Sequence, residues 1–154
     1  MWTISSPVTG GAQTGFTTPT YSGVDDKAPD VNGEQYAFTS LGGTQTGVRT
    51  HSISDPFTVT LNKPKVPKVL PSPNPVTGQY PNVPMNTYTF LVRKGVNIAA
   101  NQAPRIMLVR CEINVPAGAD AYDPANIRAA VSAMVGVLNQ QSAGLGDSLV
   151  TGVT

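Results

Sequence analysis

The chain is short of charge. Asp, Glu, Lys and Arg make up 12% of its 154 residues, roughly half the share usual in a globular domain. A surface built instead from Thr, Ser, Asn and Gln suits a protein whose surface is used mainly by copies of itself. Cysteine is nearly absent: Cys111 stands alone, which excludes an intrachain disulfide. No apolar run approaches the roughly 18 residues of a membrane-spanning helix, and no stretch has the pattern of a signal peptide. The expectation is a soluble protein made in a reducing cytoplasm, with no membrane partner. His51 is the one histidine. It has no Cys, Asp or Glu at a metal-ligand or catalytic spacing, so it reads as a polar strand residue. Paired carboxylates in context, G-x-S-x-G, H-E-x-x-H and a phosphate-cradling glycine loop are all missing. The acidic set Asp25, Asp26, Asp30, Asn32 and Glu34 departs from the D-x-[DN]-x-[DN]-G calcium pattern and reads as a solvated loop. Neither an enzyme nor a cofactor or metal is expected.

What is present is turn-forming and unevenly charged. Glycine (15) and proline (14) are abundant. The net charge of +1 conceals a division: residues 1–55 sum to −3, residues 56–111 to +7, and residues 112–154 to −3. The middle third holds Lys63, Lys65, Lys68, Arg93, Lys94, Arg105 and Arg110 and no acid. Such an asymmetry predicts a polyanionic partner. Against that, the three lysines also read as ordinary solvated loop charges.

The clearest local pattern runs from Arg105 to Leu138. Met107, Val109, Cys111, Ile113 and Val115 alternate with Leu108, Arg110, Glu112 and Asn114, the period of two that marks a strand with one apolar face. Pro116 and Gly118 end it. Asp123 then offers an N-cap and Pro124 an N1 residue whose missing N–H costs nothing. The helix that follows carries Ile127, Ala130, Val131, Met134, Val135, Val137 and Leu138. It is apolar nearly all round and needs cover on more than one side. One sheet face covers one side, so a second chain is expected on the other.

The rest reads as strands and loops. Residues 2–14 form an arm or edge segment, and a short strand falls within residues 16–24. Asn32-Gly33 marks a hairpin turn through its tolerance of positive φ. Tyr36 and Phe38 then share a strand face. Residues 47–54 read as a strand, and Phe57 to Asn62 as a firmer one. Seven prolines between Lys63 and Met85 exclude ladder and helix alike and predict an extended loop. Its Pro64-x-x-Pro67 spacing reads as stiff contact surface rather than an SH3-type ligand. Residues 86–98 form the next strand, with Tyr88, Phe90 and Val92 on one face. The polar faces then line up as Thr60 and Asn62, Thr87, Thr89 and Arg93, and Arg110, Glu112 and Asn114. Hydroxyls, amides and guanidinium groups on a rigid sheet serve phosphates and base edges, although a solvated sheet face shows the same alternation.

This order of elements, with FTVTLN (57–62), NTYTFLVRKG (86–95), a last strand ending at Pro116 and DPANIRAAVSAMVGVL (123–138), resembles the coat proteins of single-stranded RNA bacteriophages. The resemblance covers residues 47–141. It implies an α+β fold: an N-terminal β-hairpin, a five-stranded antiparallel sheet, and a C-terminal α-helix packed across an interlocked homodimer. The chain would then be one domain, with an arm and hairpin over 1–46 and a sheet over 47–116 that holds the Pro-rich loop 63–85. A dimerisation helix over 123–142 and a tail over 143–154, poor in helix signal, complete it. The resemblance further implies dimers that assemble into an icosahedral shell in the virion, built in a bacterial host. The sheet would line the interior and bind single-stranded viral RNA, and one bound stem-loop would repress replicase translation.

By the resemblance, Val48, Thr60, Asn62 and Thr89 fall at adenine-pocket positions. Leu91 falls where some relatives place a lysine, Leu108 where some place a stacking tyrosine, and Arg110 where they place an asparagine. A missing stacking aromatic removes about 1–3 kcal/mol per base. With Arg49, Thr87, Arg93 and Glu112, these make the candidate RNA-binding set. Ile127, Val131, Met134, Val135 and Leu138 make the candidate dimer interface. The alternative is a dimeric nucleic-acid-binding module that forms no shell.

Overall fold

The computed structural model describes residues 2–153. Six strands pair antiparallel in simple sequence order: β1 (Val8–Thr9), β2 (Thr17–Asp26), β3 (Gly33–Thr44), β4 (Phe57–Asn62), β5 (Met85–Val96) and β6 (Arg105–Pro116). The N-terminal hairpin is therefore part of the same sheet, which has six strands rather than five beside a separate hairpin. Three helices follow: α1 (Ala119–Tyr122), α2 (Pro124–Gln140) and α3 (Ser142–Thr151).

Register places the apolar residues together. Tyr36, Val59, Val92 and Val109 stand opposite one another across β3 to β6, and Leu61, Phe90 and Cys111 form the next row. Tyr36, Phe38 and Val59 are the buried centre, and Trp2, Ile4, Val8, Tyr21, Phe57, Phe90 and Val92 pack against them. The rings meet edge-on, as their quadrupoles prefer: Phe38 and Phe57 at 4.9 Å, Trp2 and Phe90 at 6.2 Å. The N-terminal arm thus covers part of the apolar face. The β2–β3 pairing shifts register between Ser22 and Gly23. There the Tyr36 hydroxyl donates to Gly23 O (2.7 Å) and accepts from Gly23 N (3.0 Å). Gly23 is required at this point, because a Cβ would collide with Ala37 O.

Four expectations are corrected. Residues 47–54 form no strand; Val48 N bonds to Gln45 O, Ser52 and Asp55 exchange both backbone bonds, and His51 N alone of these reaches β3, at Phe38 O (2.8 Å). Ile53 is fully exposed there and Val48 only half-buried, so little apolar burial draws the segment into the sheet. The β2–β3 turn is built by Asp30, not by positive φ at Asn32-Gly33. Asp30 Oδ1 accepts from Asn32 N (3.3 Å) and Asp30 O from Gly33 N (2.9 Å), leaving Gly33 as the first residue of β3. The tail is a helix despite its glycines. Gln13 Nε2 donates to Ser142 O and Oγ, both at 2.8 Å, and Thr14 Oγ1 to Asp147 Oδ2 at 2.8 Å. The Gln13 amide lies against Gly146, and tertiary contact overrides weak propensity.

The fourth correction concerns the floor beneath α2. Asp123 caps it, with Oδ1 accepting from Asn126 N, and Pro124 opens it as the sequence pattern expects. Yet α2 buries no residue within its own chain. It meets β6 where Cys111 Sγ lies 3.5 Å from Met134 Sδ. The arm, not the helix, fills the sheet's apolar face over β3 to β5.

Removing the Tyr36 hydroxyl leaves both Gly23 backbone groups without their partner. Tyr36→Phe is expected to cost about 1–3 kcal/mol, read as a lower urea midpoint with an unchanged slope.

Candidate nucleic-acid interface

The face opposite the aromatic core is a grid fixed by register. Gln35, Thr60, Leu91 and Arg110 form one row; Gly33, Asn62, Thr89 and Glu112 a second; Ala37, Thr58, Arg93 and Leu108 a third. Thr87 stands opposite Asn114 at one end. Alternation therefore brings together Thr60, Asn62, Thr87, Thr89, Leu91, Arg93, Leu108, Arg110 and Glu112. On β5 and β6, leucine and arginine alternate as a checkerboard: Leu91 faces Arg110, and Arg93 faces Leu108.

These groups are not equally available. Thr60 is 1% exposed and its hydroxyl donates to Gln35 Oε1 at 3.0 Å. Thr87 Oγ1 donates to Asn114 Oδ1 (2.6 Å), and Asn114 Nδ2 to Glu112 Oε1 (2.9 Å). Thr58 Oγ1 and Asn62 Oδ1 are enclosed with no hydrogen-bond partner among the described residues. Arg93 and Arg110 form no salt bridge among the described residues. Leu108 is exposed. Gln35 and Thr58 were missed from sequence; once β3 is placed beside β4, the same alternation identifies both.

Two expected members lie elsewhere. Val48 sits in the turn after Gln45, and Arg49 belongs to a structural cluster. The Arg49 guanidinium pairs with Asp55 and donates to Gly95 O at 3.1 Å, while Lys94 Nζ reaches Asp55 at 3.3 Å and lies 5.0 Å from the Phe57 ring centre. Gly95 is needed beneath this cluster, since a Cβ would strike Asp55. His51 is also structural: its Nδ1 accepts from Phe57 N at 3.1 Å. Among the described residues no group of His, Cys, Asp and Glu has the arrangement of a metal site, and no helix is long and apolar enough to cross a membrane.

No protein-family model and no curated protein matches the chain. A solved structure does. The virus-like particle of bacteriophage ESE020 is 57% identical, is covered over 100% of both chains, and superposes with a TM-score of 0.97. The chain belongs to the phage coat proteins. Its role is structural, in the capsid.

In this coat protein the middle third's cations divide by position. Arg93 and Arg110 stand on the polar face; Lys94 and Arg105 stand on the other, in register with Phe57 and Val96. Lys63, Lys65 and Lys68 belong to the Pro-rich connection, where Lys65 lies 3.6 Å from Asp30. The α2 residues also divide. Ile127 and Val131 line a shallow groove of about 310 Å³ with Ile113 and Val115. Met134 touches Cys111. Val135 (56%) and Leu138 (49%) remain largely exposed.

Burial acts most strongly on Asp55 and by itself raises its carboxyl pKa. The hydrogen bonds from Arg49 and Lys94, with both positive charges, outweigh burial and hold it below the ordinary value. A depressed folded-state pKa stabilises above the unfolded value, about 3.9, and that contribution disappears as pH falls through the folded one. The coat protein is expected to lose thermal stability below about pH 4. Asp55→Asn should flatten that part of the melting-temperature profile, measured by calorimetry.

Proposed function

We propose that this coat protein self-assembles, through dimers joined by α2 and the apolar side of β6, into an icosahedral shell that packages single-stranded RNA against its polar sheet face. The observation that carries the reading is the pairing of two unsatisfied surfaces. One is α2, in which no residue is fully buried and only Ile127 and Met134 are half-buried against their own chain. The other is the edge strand β6, where Val109 is 50% exposed and Met107 37%. Fully burying a Val or Leu side chain is worth about 1.5–3 kcal/mol. A helix with Val135, Val137 and Leu138 largely uncovered is thus costly unless a partner covers it. β6 also presents an unpaired backbone edge, a template for another strand.

The polar face supports an RNA partner because Arg93 and Arg110 stand on it without a salt bridge among the described residues. The ESE020 relative is a virus-like particle, which supports the shell and the virion as this chain's destination. Repression of replicase translation by one bound stem-loop would require base recognition. The sealed Thr60 hydroxyl and the lack of an aromatic residue on the grid weigh against it.

Val135→Glu is expected to abolish particles in electron micrographs and leave small species on size exclusion, through the cost of burying a charge. Intact particles from this variant would overturn the dimer reading. Arg93→Ala and Arg110→Ala together are expected to lower the RNA content of purified particles, read as the ratio of absorbance at 260 to 280 nm. Unchanged RNA content would remove the polar face from RNA binding.

A further inference from the structure

We infer that the polar face holds RNA by its phosphates and does not read its base sequence. This rests on the RNA-packaging reading above and concerns how the same face works. Base reading needs side chains that present donors and acceptors in fixed geometry, commonly with a flat surface against the base. The grid supplies little of either. No aromatic side chain stands among its positions in β3 to β6. Thr60 is closed by Gln35, and Thr87 and Asn114 are engaged in a chain of bonds that ends on Glu112 Oε1. Thr58 Oγ1 and Asn62 Oδ1 are enclosed, which withdraws two acceptors from any base edge.

The open cations are the guanidinium groups of Arg93 and Arg110, and the one exposed carboxylate beside them, Glu112, repels phosphate and so leaves these donors to hold it. Phosphate oxygens are acceptors only, and guanidinium forks match them. The two arginines occupy diagonal positions on adjacent strands, a backbone separation of about 7–8 Å. Long side chains from such positions can reach successive phosphates of one extended strand. Leu91 and Leu108 fill the other diagonal. They offer bases an apolar, sequence-indifferent surface without hydrogen-bond discrimination. The checkerboard therefore fits a ribose-phosphate chain of any sequence.

The test uses the full chain, freed of RNA at high salt, and a panel of synthetic stem-loops of equal length with different loop and bulge sequences. A homopolymeric uridine strand is included, and affinities are measured at several salt concentrations. The expected result is affinities within about threefold across the stem-loops, since a base-reading site loses about fivefold or more per wrong base. Arg110→Ala should weaken every RNA by the same factor and lower the salt slope by about one; Arg110→Lys should restore most of the slope. Preference for one loop sequence by more than about tenfold overturns this inference while leaving RNA binding in place. A loss in Arg110→Ala confined to one sequence overturns it too. Absence of binding to every RNA overturns both this inference and the packaging reading.

Discussion

Everything in this molecule depends on the register of β3 to β6. Side chains alternate with a period of two, so a slip of one residue would exchange the faces of a whole strand. Held as observed, register gathers Tyr36, Val59, Val92 and Val109 on one side and Thr58, Thr60, Arg93 and Arg110 on the other. The aromatic cluster enforces that choice, because Phe57 packs edge to face on both Phe38 and Tyr21 only when their strands are in step. At the hairpin end, the Tyr36 hydroxyl ties β3 to the irregular turn of β2 at Gly23. At the far end of β5, Asp55 gathers Arg49 and Lys94. The sheet is thus pinned at both ends, and the polar grid is rigid because the apolar side is.

A scarcity of charge gives the few charges present more consequence. Arg49 and Lys94 are consumed by a largely buried carboxylate, and Lys65 lies near Asp30. Arg93 and Arg110 have no such partner among the described residues. A count of basic residues in the middle third overstates what a polyanion would meet, since position on the sheet divides that set. The same economy is visible in the apolar residues. The arm with Trp2, Ile4 and Val8 covers β3 to β5, whereas the outer part of β6 and most of α2 stay uncovered in a single chain. Such a distribution suits a subunit, whose core is completed by association.

The strands from Phe57 onward were legible because each alternates cleanly over six or more residues. The start of α2 was legible because Asp123 and Pro124 are end signals whose mechanism is local. Residues 47–54 misled because alternation does not specify pairing: His51 N reaches Phe38 O of β3, but the bonds of Val48, Ser52 and Asp55 close turns, so no ladder forms. The tail misled in the opposite sense: Gly144 and Gly146 argue against a helix, yet Gln13, distant in sequence, holds it at Ser142. Of the expected interface, the members on regular strands came together, and the two in the misread segment, Val48 and Arg49, did not.

By itself the sequence determined the strand faces, the helix start, the Pro-rich connection and the concentration of positive charge, because these follow from local periodicity and from groups a residue has or lacks. Only the tertiary structure decided which polar groups are open, because that depends on neighbours from other strands: Gln35 closes Thr60, and Asp55 takes Arg49. It also decided what covers the stretch from Arg105 to Leu138. Its strand and helix were plain in the sequence, but contact across the sheet is not encoded in spacing. The arm took the apolar face over β3 to β5, α2 meets the sheet at Cys111, Ile113 and Val115 of β6, and most of the helix was left for another surface to bury.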